Sequence, residues 1–125
     1  MTTLLYVDDE ETIGTAVARW FARRGHTVHL ATSVASACKV LVDLEPDAVF
    51  IDVWLGKESG FDLLSWIEDR RPELADRVTF VTGELGDQEL AGRTWRSLGR
   101  PVLQKPFKFD QLEALAGAVQ RRHGT

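Results

Sequence analysis

Ala48-Val49-Phe50-Ile51-Asp52 decides the fold: an apolar run that follows the break at Pro46-Asp47 and ends on a carboxylate. A run this short, bounded by turn residues, reads as a buried strand. The same shape recurs along the chain. Leu4-Leu5-Tyr6-Val7 ends at Asp8-Asp9, Arg77 to Val81 ends at Thr82, and Val102-Leu103-Gln104 ends at Lys105. Thr27 to Ala31 is one more short strand.

Amphipathic stretches fill the gaps. Ile13, Val17, Trp20 and Phe21 recur at helical spacing over residues 12 to 24, with Gly25 as the stop. Ser33 can cap a helix running to about Glu45, with Ala37, Val40, Leu41 and Leu44 as its stripe. Gly56 to Gly60 reads as loop. Phe61, Leu64 and Ile67 define a third helix that stops near Pro72. A fourth helix is expected over roughly 85 to 98, on a thin stripe of Leu90, Ala91, Trp95 and Leu98. Asp110 can cap the last helix, whose apolar positions are Leu112, Leu115, Ala116 and Val119. Five strands alternating with five helices predict an α/β fold with a parallel sheet covered on both faces.

The chain has 125 residues, enough for one hydrophobic core and too few for two ordinary domains, so residues 1–125 are expected to form a single domain. Its 44% apolar and 27% charged residues are those of a soluble globular protein, and a cytoplasmic location without membrane insertion is expected. The net charge is −4 and the arginines are scattered, which argues against direct nucleic-acid binding. Cys38 is the sole cysteine, so an internal disulfide and a cysteine zinc cluster are excluded, and it reads as a small core filler.

The chemistry lies at the strand ends. Asp8-Asp9, Asp52, Thr82 and Lys105 each close an apolar strand, and in an open parallel sheet those ends share one edge. Converging carboxylates repel one another, and a divalent cation resolves the conflict. Mg²⁺, with Mn²⁺ as a substitute, suits one or two carboxylates plus phosphate oxygens. A carboxylate is also a competent nucleophile toward phosphorus. The transferring group spreads charge over three equatorial oxygens, which a metal ion, Lys105 and Thr82 can meet. No Gly-Lys-Ser/Thr loop is present for nucleotide phosphates, and no histidine sits near these ends to build a histidine-based hydrolase.

Val7-Asp8-Asp9-Glu10, Ile51-Asp52-Val53, Gly60, Val81-Thr82-Gly83 and Lys105-Pro106-Phe107 together resemble the receiver domain of bacterial two-component response regulators. The resemblance implies a flavodoxin-like, three-layer fold with strand order 2-1-3-4-5 and no output domain in these residues. It implies that Asp52 accepts phosphoryl from a histidine kinase or a histidine phosphotransfer domain and passes the signal to a downstream protein. Asp9, Asp52 and the Trp54 carbonyl would hold Mg²⁺ directly, with Asp8 acting through water. Thr82 and Lys105 would bind phosphoryl oxygens, and the Lys105–Pro106 bond would be cis. Catalysis would extend only to self-phosphorylation from phosphodonors and to loss of the chain's own phosphoryl group. A weak homodimer is among the expected assemblies.

Four features depart from the common pattern. Val102 stands where the family usually has an aromatic switch residue that rotates with the threonine. Gly99-Arg100-Pro101-Val102-Leu103 is similar to receivers attached to hybrid histidine kinases. Gly56 replaces a frequent proline. Trp54 and Glu84 occupy the two positions that tune dephosphorylation, and a bulky indole at 54 could exclude the attacking water. Trp20 is a candidate partner contact, Trp66 a half-exposed residue and Trp95 a core residue. The rival to a phosphoacceptor is a receiver-like interaction module that works without phosphate. A small-molecule phosphohydrolase is disfavoured, since nothing in so short a chain supplies a cap over a substrate.

Overall fold

The computed structural model describes residues 2–83, 89–90, 93–94 and 102–123, with backbone alone at 89–90, 93–94 and 120–123. Its central strands are β1 (Thr3–Val7), β2 (Thr27–Ala31), β3 (Ala48–Asp52), β6 (Val78–Thr82) and β9 (Val102–Gln104). They form a five-stranded parallel sheet in the order β2-β1-β3-β6-β9. Strand β3 is buried along its whole length, as the run at 48–52 implies. Helices α1 (Glu11–Arg23), α2 (Val34–Leu41), α3 (Gly60–Arg70) and α4 (Phe109–His123) cover the sheet.

The period-2 alternation of each strand splits the core in two. Leu5, Val7, Val49, Ile51 and Phe80 face one side and pack with Ala37 and Leu41 of α2 and Phe61, Leu64 and Ile67 of α3. Leu4, Tyr6, Ala48, Phe50 and Val81 face the other and pack with Val17 and Phe21 of α1 and Leu112, Ala116 and Val119 of α4. On this second side Trp20 stacks edge-on against Phe21 and tilts against Phe109.

Local signals explain most boundaries. Helix α1 ends where Gly25 adopts φ +84°. Ser33 and Ser36 form a reciprocal cap at the start of α2. That helix stops at Leu41 rather than near Glu45. Arg71 Nη1 lies 2.5 Å from the Leu41 carbonyl oxygen and 3.2 Å from that of Leu44, so a distant guanidinium satisfies carbonyls that further helix would have used. Arg77 Nη1 reaches the Pro46 carbonyl oxygen at 3.0 Å. Arg71 precedes a 3₁₀ turn, Pro72–Arg77, and Arg77 closes that turn instead of opening β6.

Three further expectations change. The segment 56–60 is not all loop: β4 (Trp54–Leu55) pairs antiparallel with β5 (Glu58–Ser59), Gly56 takes φ +66°, and Gly60 is the first residue of α3. Asp110 lies inside the first turn of α4 and is not its cap; Gln111 Oε1 accepts from the Lys108 amide there. In the expected fourth helix, β7 (Glu89–Leu90) pairs antiparallel with β8 (Arg93–Thr94). Gly86 and Gly92 each disfavour helix by about 1 kcal/mol relative to alanine, and the thin stripe offers little burial in return. The remainder of 85–98, with Trp95, lies outside the described residues. Cys38 is half-buried against the core. Among the described residues no helix is long and apolar enough to cross a membrane.

Candidate functional site

Parallel pairing sets Val7 beside Ile51 and Ile51 beside Phe80. The next residues along β1 and β3 are Asp8 and Asp52, which therefore leave the sheet side by side at its carboxyl edge. Thr82 ends β6, and Lys105 follows β9. The Lys105 amide donates to the Thr82 carbonyl oxygen at 2.8 Å, which carries the lysine over the same edge. The Lys105–Pro106 bond is cis.

Lys105 is the hub. Its Nζ lies 2.6 Å from Asp52 Oδ2, 2.9 Å from Asp8 Oδ2 and 3.4 Å from Glu10 Oε1. Asp52 Oδ1 accepts from the Trp54 amide at 3.0 Å. Asp8 Oδ1 accepts from the Glu10 amide at 2.9 Å, and its Oδ2 accepts from the Tyr6 hydroxyl at 2.9 Å. Asp8 and Asp52 are buried. One carboxylate oxygen from each of Asp8, Glu10 and Asp52 lies within 4.8 Å of the others. Three carboxylates against one ammonium leave excess negative charge on hard oxygen donors, a set that fits a divalent cation.

Electrostatics follow from burial. Desolvation pushes the Asp52 carboxyl up to about 6, with the neighbouring Asp8 charge adding to it and hydrogen bonds from Lys105 and Trp54 opposing it. Burial pulls the Lys105 ammonium down, but hydrogen bonds to Asp52 and Asp8 outweigh it and hold its pKa above the ordinary lysine range. Burial first, then the Asp8 charge, pushes the Tyr6 phenol above its usual range. Because folded Asp52 holds its proton more tightly than the unfolded chain does, stability falls as pH rises from about 4 to about 6. Asp52→Asn should therefore raise metal-free stability at pH 7.5 by about 1–3 kcal/mol and flatten that pH window, as read by urea denaturation at several pH values.

The structure brings Asp8, Asp52, Thr82 and Lys105 to one edge. Thr82 is buried there. Asp9 is exposed, and its Oδ2 points toward Gly56, 4.0 Å from where a Cβ on that glycine would stand. Glu10 is not among the candidates that sequence reasoning picks out, yet it is the third carboxylate of the cluster; the unbroken Asp8-Asp9-Glu10 triplet is the signal that could have found it. Trp54 is 44% exposed on the hairpin beside Asp52. Val102 pairs with Phe80 and packs half-buried against the core, with no polar role. Glu84 lies outside the described residues.

A parallel five-stranded α/β sheet with two buried acids and a lysine at its carboxyl edge defines a receiver architecture. Residues 4–116 match the response regulator receiver domain family, and the chain belongs to that family. It is 29% identical over 111 residues to the nitrogen assimilation regulatory protein NtrX of Azorhizobium caulinodans, covering 87% of this chain and 24% of that protein. The chain thus spans about a quarter of that relative's length. The receiver domain of NtrX from Brucella abortus is 30% identical with a TM-score of 0.78, over 94% of this chain and 98% of that one. A Burkholderia pseudomallei response regulator carrying a phosphorylated aspartic acid, a calcium ion and citrate is 25% identical with a TM-score of 0.75, over 99% and 74% of the two chains.

Proposed function

We propose that this chain is the phosphoacceptor of a two-component phosphorelay and takes its phosphoryl group on Asp52 from the phosphohistidine of a kinase or phosphotransfer domain. The observation that carries the reading is the buried Asp52 carboxylate held between Lys105 and the Trp54 amide, within an acidic cluster that fits a divalent cation. The phosphorylated aspartic acid of the Burkholderia relative is consistent with it.

Asp52 Oδ attacks phosphorus, the new O–P bond forms as the N–P bond breaks, and the bonding pair leaves on the imidazole nitrogen. A donor ring protonated at its other nitrogen departs neutral. Lys105 exchanges its contact with Asp52 for one with a phosphoryl oxygen, so its positive charge follows the charge that moves. Thr82 meets a second oxygen. Mg²⁺, when bound, screens the repulsion between the phosphoryl oxygens and the carboxylates. Asp9, Asp52 and the Trp54 carbonyl would hold it, with Asp8 acting through water. The indole of Trp54, an exposed residue on the hairpin that follows Asp52, would shield the acyl phosphate from water. Val102 stands where an aromatic switch residue is usual in the family, so output would be read from a surface other than the customary one.

The test is intact mass after incubation with a small acyl phosphate, with and without Mg²⁺, beside Asp52→Asn. One phosphoryl group gained only with Mg²⁺, and lost in the variant, is the expected result. Absence of any adduct under rapid sampling, in a chain shown to bind Mg²⁺, would favour a phosphate-independent module.

A further inference from the structure

Tyr6 is the chain's single tyrosine, and it sits in the middle of the core with a polar group that needs a partner. Its ring belongs to the α1/α4 side of the sheet and meets Phe107 edge-on at 6.4 Å, in the segment that follows Lys105. Its hydroxyl turns toward the carboxyl edge and donates to Asp8 Oδ2 at 2.9 Å. That oxygen also faces Lys105 Nζ, at 2.9 Å, while Oδ1 takes the Glu10 amide. Asp8 is 2% exposed, so water does little for its charge.

The three donors differ in what they can do. The Glu10 amide and the Tyr6 hydroxyl are fixed by backbone and core packing. Lys105 is shared with Asp52 and Glu10 and must turn to a phosphoryl oxygen if the proposed reaction runs. A buried carboxylate that lost its only donor on one oxygen would be costly, and would be free to rotate. With Tyr6 in place, Asp8 keeps one donor on each oxygen after Lys105 departs. We infer that Tyr6 is a positioning residue, which fixes the Asp8 carboxylate in the orientation that receives a hydrated divalent cation and releases Lys105 for the phosphoryl group. The inference rests on the cation-dependent reading above and adds a residue to it.

The test uses the full chain with its single tyrosine carrying ¹³C at the ring carbon that bears the hydroxyl, titrated with Mg²⁺, and calorimetric Mg²⁺ affinities of Tyr6→Phe, Asp8→Asn and the double variant. In the unsubstituted chain the tyrosine signal should move in step with Mg²⁺ saturation, because the phenol shares Asp8 with the hydrated ion. Tyr6→Phe keeps the ring and should weaken Mg²⁺ binding about tenfold. In the Asp8→Asn background the same substitution should change affinity little, which a packing effect would not reproduce. An unmoved tyrosine signal in a chain that binds Mg²⁺ overturns the role of Tyr6 alone. So does Tyr6→Phe binding Mg²⁺ like the unsubstituted chain, or losing as much affinity in the Asp8→Asn background as it does with the aspartate in place. Failure of the unsubstituted chain to bind Mg²⁺ overturns this inference together with the reading beneath it.

Discussion

Gly60→Ala should cost about 3 kcal/mol of folding stability, seen as a lowered midpoint in chemical denaturation without a change in slope. The first residue of α3 lies directly over the end of β3. A Cβ there would collide with the Asp52 carbonyl oxygen, and would stand 2.9 Å from Ile51 Cγ2 and 3.2 Å from the Asp52 carbonyl carbon. Neither side can yield cheaply. Strand β3 is central and fully buried, and the Gly60 amide is tied to the Val53 carbonyl oxygen at 2.7 Å. The methyl group must therefore lift α3 from the sheet or push the Asp52 backbone sideways. The second outcome would move the Asp52 carboxylate, the proposed acceptor, so phosphoryl uptake should fall along with stability. A variant that unfolds at the same denaturant concentration as the parent would show that the helix shifts at no cost.

Lys105→Met should have the second large effect, with a distinctive pH signature. The lysine side chain is 14% exposed and neutralises Asp52 and Asp8, whose side chains are 7% and 0% exposed. Methionine keeps most of the stem packing and removes the charge. Breaking a buried ion pair from one side costs about 3–5 kcal/mol when the remaining charge stays ionised. Here Asp52 has an escape, since its protonation removes its repulsion with Asp8. Without the ammonium, Asp52 should hold its proton to still higher pH than it does beside Lys105. The variant should therefore be destabilised at pH 7.5 by about 3 kcal/mol, recover much of that at pH 5, and recover part of it with Mg²⁺ at pH 7.5. Phosphoryl uptake at saturating Mg²⁺ should fall about 10²–10³-fold, the typical cost of losing one preorganised charge stabiliser. A uniform loss of stability across that pH range would mean that packing, and not charge, is what Lys105 contributes.

The legible part of this molecule is the part governed by short-range rules. Strand β3, the stop at Gly25, the cap at Ser33 and the order of polar residues at strand ends follow from burial, turn chemistry and sheet geometry. Asp8, Asp52, Thr82 and Lys105 could be placed together because a parallel sheet gives all its strands one direction. What sequence reasoning missed depends on partners distant in the chain. The early stop of α2 rests on Arg71, 30 residues beyond Leu41. The hairpin at 54–59 rests on a turn at Gly56 that composition alone reads as loop. Glu10 is a helix-start acid by spacing, and only the position of Lys105 makes it part of the site. Tyr6 reads as one more apolar strand residue until its hydroxyl is seen to reach Asp8.

Asp8 and Asp52 continue neighbouring strands in register, so their separation is fixed by the hydrogen-bond ladder of the sheet, about 4.8 Å from strand to strand. That ladder acts as a ruler for the site. Surface substitutions on the solvent faces of α1 or α4 leave untouched the gap into which an ion must fit. A redesign of those two faces should leave the chain's cation affinity where it was.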